Sequence, residues 1–235
     1  MSSILINVLV VVFSISEDKL RVLLTPSQLP LAEHPFGTFS RTMGGEKEGG
    51  EAWSLPGEPV RADESLDDAA SHAVAPHVDR RQAYLEQLYT YGGPERGGPG
   101  GRLVSVAYFA LVPAHALTQG GPPEGGWFPL HGLPALAEDH AGIIAYALRR
   151  LRYKLEYSAA GFQLLPEEFS LSELQHTYEI ILGEKLDKRN FRRRILEAGV
   201  IEPTSRRRSG EGRPARLYHY RPDAVAEIRA RRLFP

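Results

Sequence analysis

The sequence predicts an α+β protein with two domains. The first is a mixed α/β domain over residues 1–136, and the second is a smaller helix-rich basic domain over residues 137–235. Three observations carry this. Strand-like apolar runs dominate the first half, "ILINVLVVVF" at 4–13 among them. Helical periodicity takes over at "EDHAGIIAYALRRLRYKLEY", residues 138–157. The charge divides as well: residues 160–235 hold 15 Lys and Arg against 11 Asp and Glu, while the remainder holds 13 against 18. A basic block on an acidic body points to a polyanion partner for one domain only.

The elements follow in order. Residues 4–15 and 20–25 alternate or run apolar and read as two strands joined by the polar turn "SISEDK". Residues 26–51 are rich in Pro, Gly and charge, which predicts a long loop. From Ser65 to about His77 the apolar positions Leu66, Ala69, Ala70, Ala73 and Val74 follow helical spacing, and Pro76 ends the helix. "QAYLEQLYTYG" and "GRLVSVAYFALVPA" read as strands on either side of a Gly-rich loop at 92–101, and "GGWFPLHGLPAL" as a short strand and turn.

In the second domain, helix 138–157 buries Ile143, Ala147, Leu151 and Leu155 on one face. "GFQLLP" reads as a short strand. "SLSELQHTYEIILG" opens with Ser170 three residues before Glu173, a capping box, and closes on Gly183. "DKRNFRRRILEAG" opens on Asp187 and closes on Gly199. "VIEPT" and "ARLYHY" are strands around the basic loop "SRRRSGEGRP", and a helix over roughly 223–233 ends the chain. Helix, strand, helix, helix, strand, basic loop, strand is the order of a winged helix-turn-helix.

Composition narrows the rest. There is no cysteine, so disulfides and thiolate metal sites are excluded. The apolar run at 4–13 is too short to span a bilayer and no basic stretch precedes it, so the expectation is a soluble, cytoplasmic, nucleoid-associated protein with no membrane partner.

In a helix-turn-helix the second helix enters the major groove. Here that helix is 187–198, with Phe191, Ile195 and Leu196 expected to pack inward. Lys188, Arg189, Asn190, Arg192, Arg193 and Arg194 fill the other positions, and such side chains bond phosphates, guanine or adenine. The basic loop is the expected wing: Arg206, Arg207 and Arg208 suit phosphates, Gly210 and Gly212 let the backbone approach, and Arg213 reaches a minor groove. Arg213 and Arg216 also suit internal ion pairs.

The stretch "WSLPGEPVRADESL" resembles the approach to a Nudix box, G-x5-E-x7-REUxEExGU, whose glutamates hold divalent cations against a pyrophosphate. Hard cations need several oxygens, hence several acids on one helical face. Counted from Glu64, the Arg falls on His72, the next Glu on Ala73, the metal-binding Glu pair on Pro76 and His77, and the first Gly on Glu58 beside Gly57. Of the expected acids only Glu64 remains, so this pattern predicts neither a metal site nor hydrolysis by that route. Asp67 and Asp68 suit the helix N-terminus. His72 and His77 lie five apart, off the i, i+4 spacing of paired ligands, and read as surface or structural histidines.

Both halves together resemble the NrtR family, Nudix-related transcriptional regulators of NAD metabolism. The stretches that carry this are "YLEQLYTYG", "GRLVSVAYFALV", "WFPL", "DHAGIIAYALRRLRYKLEY", "FQLLPEEFSLSELQHTYEIILG", "LDKRNFRRRILEAG" and "GEGRPARLYHY". The resemblance implies a Nudix-like α/β sandwich joined to a winged helix-turn-helix. It further implies a homodimeric DNA-binding repressor or activator whose first domain senses ADP-ribose or a related nucleotide. Many members no longer hydrolyse it, and some related regulators respond to sugars or sugar phosphates. For a nucleotide effector, the expected cleft residues are Arg61 and Glu64 beside the eroded box, Glu86, Gln87 and Tyr89 on a strand, and Arg102 by the Gly-rich loop. Tyr108 or Phe109 are expected to stack on a base. The competing readings are a pyrophosphohydrolase using Glu64, Asp67 and Asp68 in a rearranged site, and a DNA-binding dimer whose first domain is only a scaffold.

Overall fold

The computed structural model describes residues 3–27, 52–94, 96–98, 101–117, 125–137, 139–156, 158–209, 214–221 and 224. Most of the expected insertion at 26–51, Arg213 and all but Ala224 of the expected last helix lie outside these. By internal contacts the chain divides into two units. One comprises residues 1–14, 21–112 and 116–147; the other comprises 15–20, 113–115 and 148–235.

The first unit is built on β1 (Ser3–Ser16), whose alternating apolar residues are buried on both faces through its second half. A strand covered on both sides must be apolar throughout, and Val8 to Phe13 all are. β1 turns into β2 (Lys19–Pro26) through Glu17 and Asp18, both at positive φ. Two left-handed central residues give the hairpin twist that matches its strands. The eight-stranded sheet runs β3 (Trp53–Ser54)-β2-β1-β7 (Gly101–Leu111)-β5 (Tyr84–Tyr91), with β4 (Gly57–Pro59), β6 (Gly97–Gly98) and β8 (Gly126–Pro129) pairing off this path. β1 and β7 pair in parallel, and β5 pairs antiparallel with β7. β4 pairs antiparallel with β1, and β8 with β2. The sheet is therefore mixed in strand direction.

Helix α1 (Leu66–Val74) covers one face, with Ala69, Ala70, Ala73 and Val74 packed on Val8, Val10, Val12, Val106, Tyr108 and Ala110. It ends at Val74 with Ala75 as its cap, so Pro76 lies beyond the last turn, where its missing N–H costs nothing. The first half of α2 (His140–Leu155) belongs to the same unit. It is anchored by the Leu55 N–H, which donates to His140 Nδ1 at 3.0 Å, and by edge-on packing of Tyr146 against Tyr89. Arg96, buried, is bound by Asp139 and donates to Ser105 Oγ at 2.9 Å.

The second unit holds a three-stranded sheet in the order β10-β11-β9, made of β9 (Phe169–Ser170), β10 (Ile201–Arg208) and β11 (Ala215–Tyr220). Against it lies α3 (Leu171–Leu182), and α4 (Lys188–Glu197) packs on α3. The expected strand "GFQLLP" is instead mostly a 3-10 helix, Ala159–Leu164, and the strand forms later at β9. Ser158 caps that turn by accepting from the Ala160 N–H, which competes with any strand. Phe162, Phe169 and Tyr220 cluster, and Tyr178 meets Phe191 edge-on at 5.5 Å. Among the described residues, no helix is long and apolar enough to cross a membrane.

Candidate nucleic-acid interface and effector domain

The helix pair of the second unit is fixed at both of its starts. Ser170 Oγ accepts from the Glu173 N–H, and Glu173 Oε2 accepts from the Ser170 N–H at 2.7 Å, so the capping box forms as its spacing predicts. Gly183 ends α3 at φ 80°, a conformation open to glycine without penalty. Asp187 starts α4 by accepting from the Asn190 N–H at 2.7 Å. Glu179 braces the turn between the helices. It accepts from Lys185 Nζ at 2.8 Å, from the Leu186 N–H and from Gln175, and these bonds hold its carboxyl down to about 2.

On α4, Phe191 and Ile195 are buried as expected. Leu196 is not: half of its surface is exposed. A helix only ten residues long, buried on one stripe through Phe191 and Ile195, turns the i+5 position toward solvent. Lys188, Arg189 and Arg193 are exposed, and Arg193 donates to the Asn190 side chain at 2.9 Å. Arg192 is half-buried and donates to Ser172 Oγ on α3 at 3.0 Å.

The wing arginines are placed differently from the sequence expectation. Arg206, Arg207 and Arg208 lie on β10 rather than in the loop. Arg207 pairs in register with Arg216 of β11, both exposed. Arg208 binds the Glu173 carboxylate and donates to the Glu168 carbonyl at 3.2 Å, while Arg206 lies 3.4 Å from Glu168 Oε2. Glu168 and Glu173 therefore hold two of the basic side chains against the start of α3. The sequence signal for this was the acidic pair "PEEFSLSE", which reads as helix capping alone. Arg213 and Gly210 and Gly212 lie outside the described residues.

In the first unit, the strand register decides which expected effector residues share a face. Gln87 stands opposite Tyr108 and Glu86 opposite Phe109, so the two point to opposite sides of the sheet. Tyr108 belongs to the core under α1, which puts Gln87 on the α1 side and Glu86 on the other. Arg102 follows Tyr108's face, six residues away along β7, or about 20 Å at strand rise. Arg102 donates to the Gly92 carbonyl, and Glu86 accepts from Tyr84 at 2.5 Å. Burial, helped by that bond, raises the Tyr84 hydroxyl well above its ordinary range. Tyr108 and Phe109 are each only 1% exposed, so neither offers a free face to a base. Tyr108 instead donates to Asp67 at 2.7 Å, tying α1 to the sheet.

At the eroded box, the residues present do not fit the cation site of an active Nudix helix. Pro76 has no ligand atom, and half-buried His77 stands where the second acid would be. Asp68 is engaged by Ser65, which donates at 2.7 Å and lowers the Asp68 carboxyl below its ordinary range. Arg61 and Glu64 do come together: the Arg61 N–H donates to Glu64 Oε1 at 2.7 Å, the main cause of the lowered Glu64 carboxyl. Glu64 Oε2 faces His72 Nδ1 at 3.2 Å, and Glu58 Oε1 lies 3.9 Å from the same nitrogen. The sequence reading left His72 as a surface or structural histidine. Its position two turns along α1, with a side chain that leans toward the helix N-terminus, brings it back to Glu64.

Comparison with known proteins completes the picture. Residues 161–220 match the NrtR DNA-binding winged helix domain. Over 222 residues the chain is 33% identical to the ADPR responsive transcriptional repressor NtrR of Acinetobacter baylyi, spanning 92% of this chain and 82% of that one. The crystal structure of Shewanella oneidensis NrtR is 33% identical, with a TM-score of 0.75 and 97% of each chain covered. The same protein complexed with a 27mer DNA is 32% identical, with a TM-score of 0.73, covering 97% of this chain and 96% of that one. A MutT/nudix family protein of Enterococcus faecalis shares the fold at 23% identity and a TM-score of 0.67, over 94% of this chain and 88% of its own. With this identity and coverage, and with a Nudix-like sheet ahead of a winged helix, the chain belongs to the NrtR family.

Proposed function

We propose that the chain is a DNA-binding transcriptional repressor of pyridine nucleotide metabolism. In this reading residues 137–235 bind operator DNA as a homodimer, and residues 1–136 bind ADP-ribose without hydrolysing it. The observation that carries the DNA half is the exposed row Lys188, Arg189 and Arg193 on α4, with Arg207 on β10. Two such helices in a dimer match half-sites about 34–36 Å apart, or a multiple of that. The relative from Acinetobacter baylyi is named as ADPR responsive, and that name supports the effector. A ligand with unequal affinity for two dimer geometries shifts operator affinity by that difference.

On the α1 face, Arg61 and Gln87 suit an effector carrying a pyrophosphate and sugar hydroxyls, while Arg102 lies about 20 Å farther along β7, bonded to the Gly92 carbonyl. Glu64 Oε1 accepts from the Arg61 N–H and Oε2 faces His72, while Glu86 faces the other way. The hydrolase reading finds little support, because Asp67 is bonded to Tyr108 and Asp68 to Ser65. Incubation with ADP-ribose and Mg2+ tests this half. The expected result is a raised melting temperature, since a ligand of the folded state alone stabilises it, with ADP-ribose intact by chromatography. Conversion to AMP and ribose phosphate would overturn the non-hydrolytic reading, and an unchanged melting temperature would overturn the effector.

A further inference from the structure

Three side chains around the start of α1 are arranged as metal ligands, although the acids of a Nudix cation site are gone. We propose that Glu58, Glu64 and His72 bind one divalent transition ion of the zinc class. The inference is independent of the function proposed above.

Each ligand comes from a different piece of backbone held in place by its own constraint. Glu58 lies on β4, opposite Val8 on β1 and on the α1 side of the sheet. Gly57 lets β4 lie this close to β1, since a Cβ there would press into the Val8 carbonyl and the Leu9 side chain. Glu64 lies just before the N-cap Ser65, and its side chain is only 8% exposed. Because the Arg61 backbone N–H occupies Oε1, Oε2 faces His72 Nδ1, with the exposed Arg61 guanidinium 3.8 Å away. His72 stands in the last turn of α1 with Nδ1 turned toward both carboxylates.

One ligand atom from each of the three lies within 4.8 Å of the others. His72 Nδ1 is 3.2 Å from Glu64 Oε2 and 3.9 Å from Glu58 Oε1. Ligands about 2.0–2.2 Å from a tetrahedral ion stand about 3.3–3.6 Å apart, so seating the ion needs Glu58 to close by about half an ångström on His72 Nδ1 and by at most about 1.5 Å on Glu64. A further observation concerns Glu58 itself, whose side chain is 25% exposed as a whole. Glu58 Oε1 is shut off from solvent and has no hydrogen-bond partner, which an oxygen of a carboxylate tolerates only at a cost. A cation on that oxygen removes the cost.

The donor set selects the ion. Magnesium and calcium demand six or more oxygens, and calcium's longer bonds do not suit so small a space. One imidazole nitrogen and two carboxylate oxygens suit zinc, cobalt or nickel, with a fourth position open to solvent on the half-exposed side of His72. Bound there, the ion would join β4, the turn at Arg61–Glu64 and α1 into one piece.

Full-length protein stripped with chelator and titrated with Co2+, then with competing Zn2+, tests this. The expected result is one equivalent of Co2+ with the visible bands of a low-coordinate site, displaced by Zn2+ and indifferent to excess Mg2+. His72→Arg places a cation against Glu64, as an ion pair requires, but removes the donor nitrogen. Glu58→Gln keeps the shape and removes the charge. Both should fold, and each should weaken binding by ~100-fold, at least the cost of losing an outer-shell partner. The proposal is overturned if the wild type binds no stoichiometric Co2+. It is equally overturned if either variant binds as the wild type does, which would leave Glu64 and His72 as an ion pair only.

Discussion

Arg208 on the second strand-forming run of the winged unit is bound by the Glu173 carboxylate, the same group whose other oxygen accepts from the Ser170 N–H to close the cap of α3. One acid thus serves helix and wing together. Glu173→Gln keeps a residue that can complete the capping box but removes the charge beside Arg208. DNA affinity is expected to rise a few-fold, because Arg208 is freed and a negative charge near the phosphates is lost. Glu173→Ala also breaks the cap and should cost about 0.5–2 kcal/mol in urea unfolding. Weaker DNA binding by the stable Gln variant would refute the assignment of β10 to the DNA side.

The exposed cations of α4 make a second prediction. Arg189→Ala and Arg193→Ala should each weaken DNA binding, and a side chain that contacts phosphate should lower the salt slope by about one. Anisotropy titrations at several salt concentrations read both effects. Unaltered slopes in the double variant would mean that α4 does not face the DNA.

Packing of the winged unit gives a third. Phe191 is buried edge-on against Tyr178, so Phe191→Ala should cost about 3–5 kcal/mol. At Gly161 a Cβ would stand 2.6 Å from a Tyr178 ring carbon, and Gly161→Ala should cost about 1–3 kcal/mol by overpacking. Chemical denaturation checks both. A tolerated Gly161→Ala would show that Tyr178 can shift.

Acid should loosen the turn between α3 and α4. The Glu179 carboxyl, ordinarily at 4.5, is held down to about 2 by Lys185, the Leu186 N–H and Gln175. A lowered folded-state value means stability that is fully present above about 4.5 and lost as pH falls toward about 2. Glu179→Gln should therefore be less stable than the wild type at neutral pH, with the difference shrinking through that window. A pH-independent difference in melting temperature would contradict the role given to its charge.

Much of this was legible in the sequence, because it rests on short-range rules. The Ser170–Glu173 capping box, the Asp187 and Gly183 boundaries and the buried face Ile143, Ala147, Leu151 and Leu155 all follow from spacing alone. What the sequence could not show depends on pairs distant along the chain. Arg206 and Arg208 read as free phosphate contacts until β10 brings them to Glu168 and Glu173. Glu86 and Gln87 read as one site until the register sets them on opposite faces. The "GFQLLP" run is apolar enough for a strand, but the Ser158 cap turns it into a 3-10 helix. Glu58 and His72 are 14 residues apart and meet only because β4 pairs with β1 under α1.

The central claim is that a Nudix-like domain that binds ADP-ribose controls a winged helix that binds DNA. The most direct measurement selects duplexes from a random pool with the full-length protein, then titrates ADP-ribose into the complex with the selected sequence. The account predicts enrichment of a two-fold symmetric site with half-sites one or more helical turns apart, and release of the DNA as ADP-ribose saturates. A selected site whose binding is indifferent to ADP-ribose, or a pool with no enriched sequence, would contradict it.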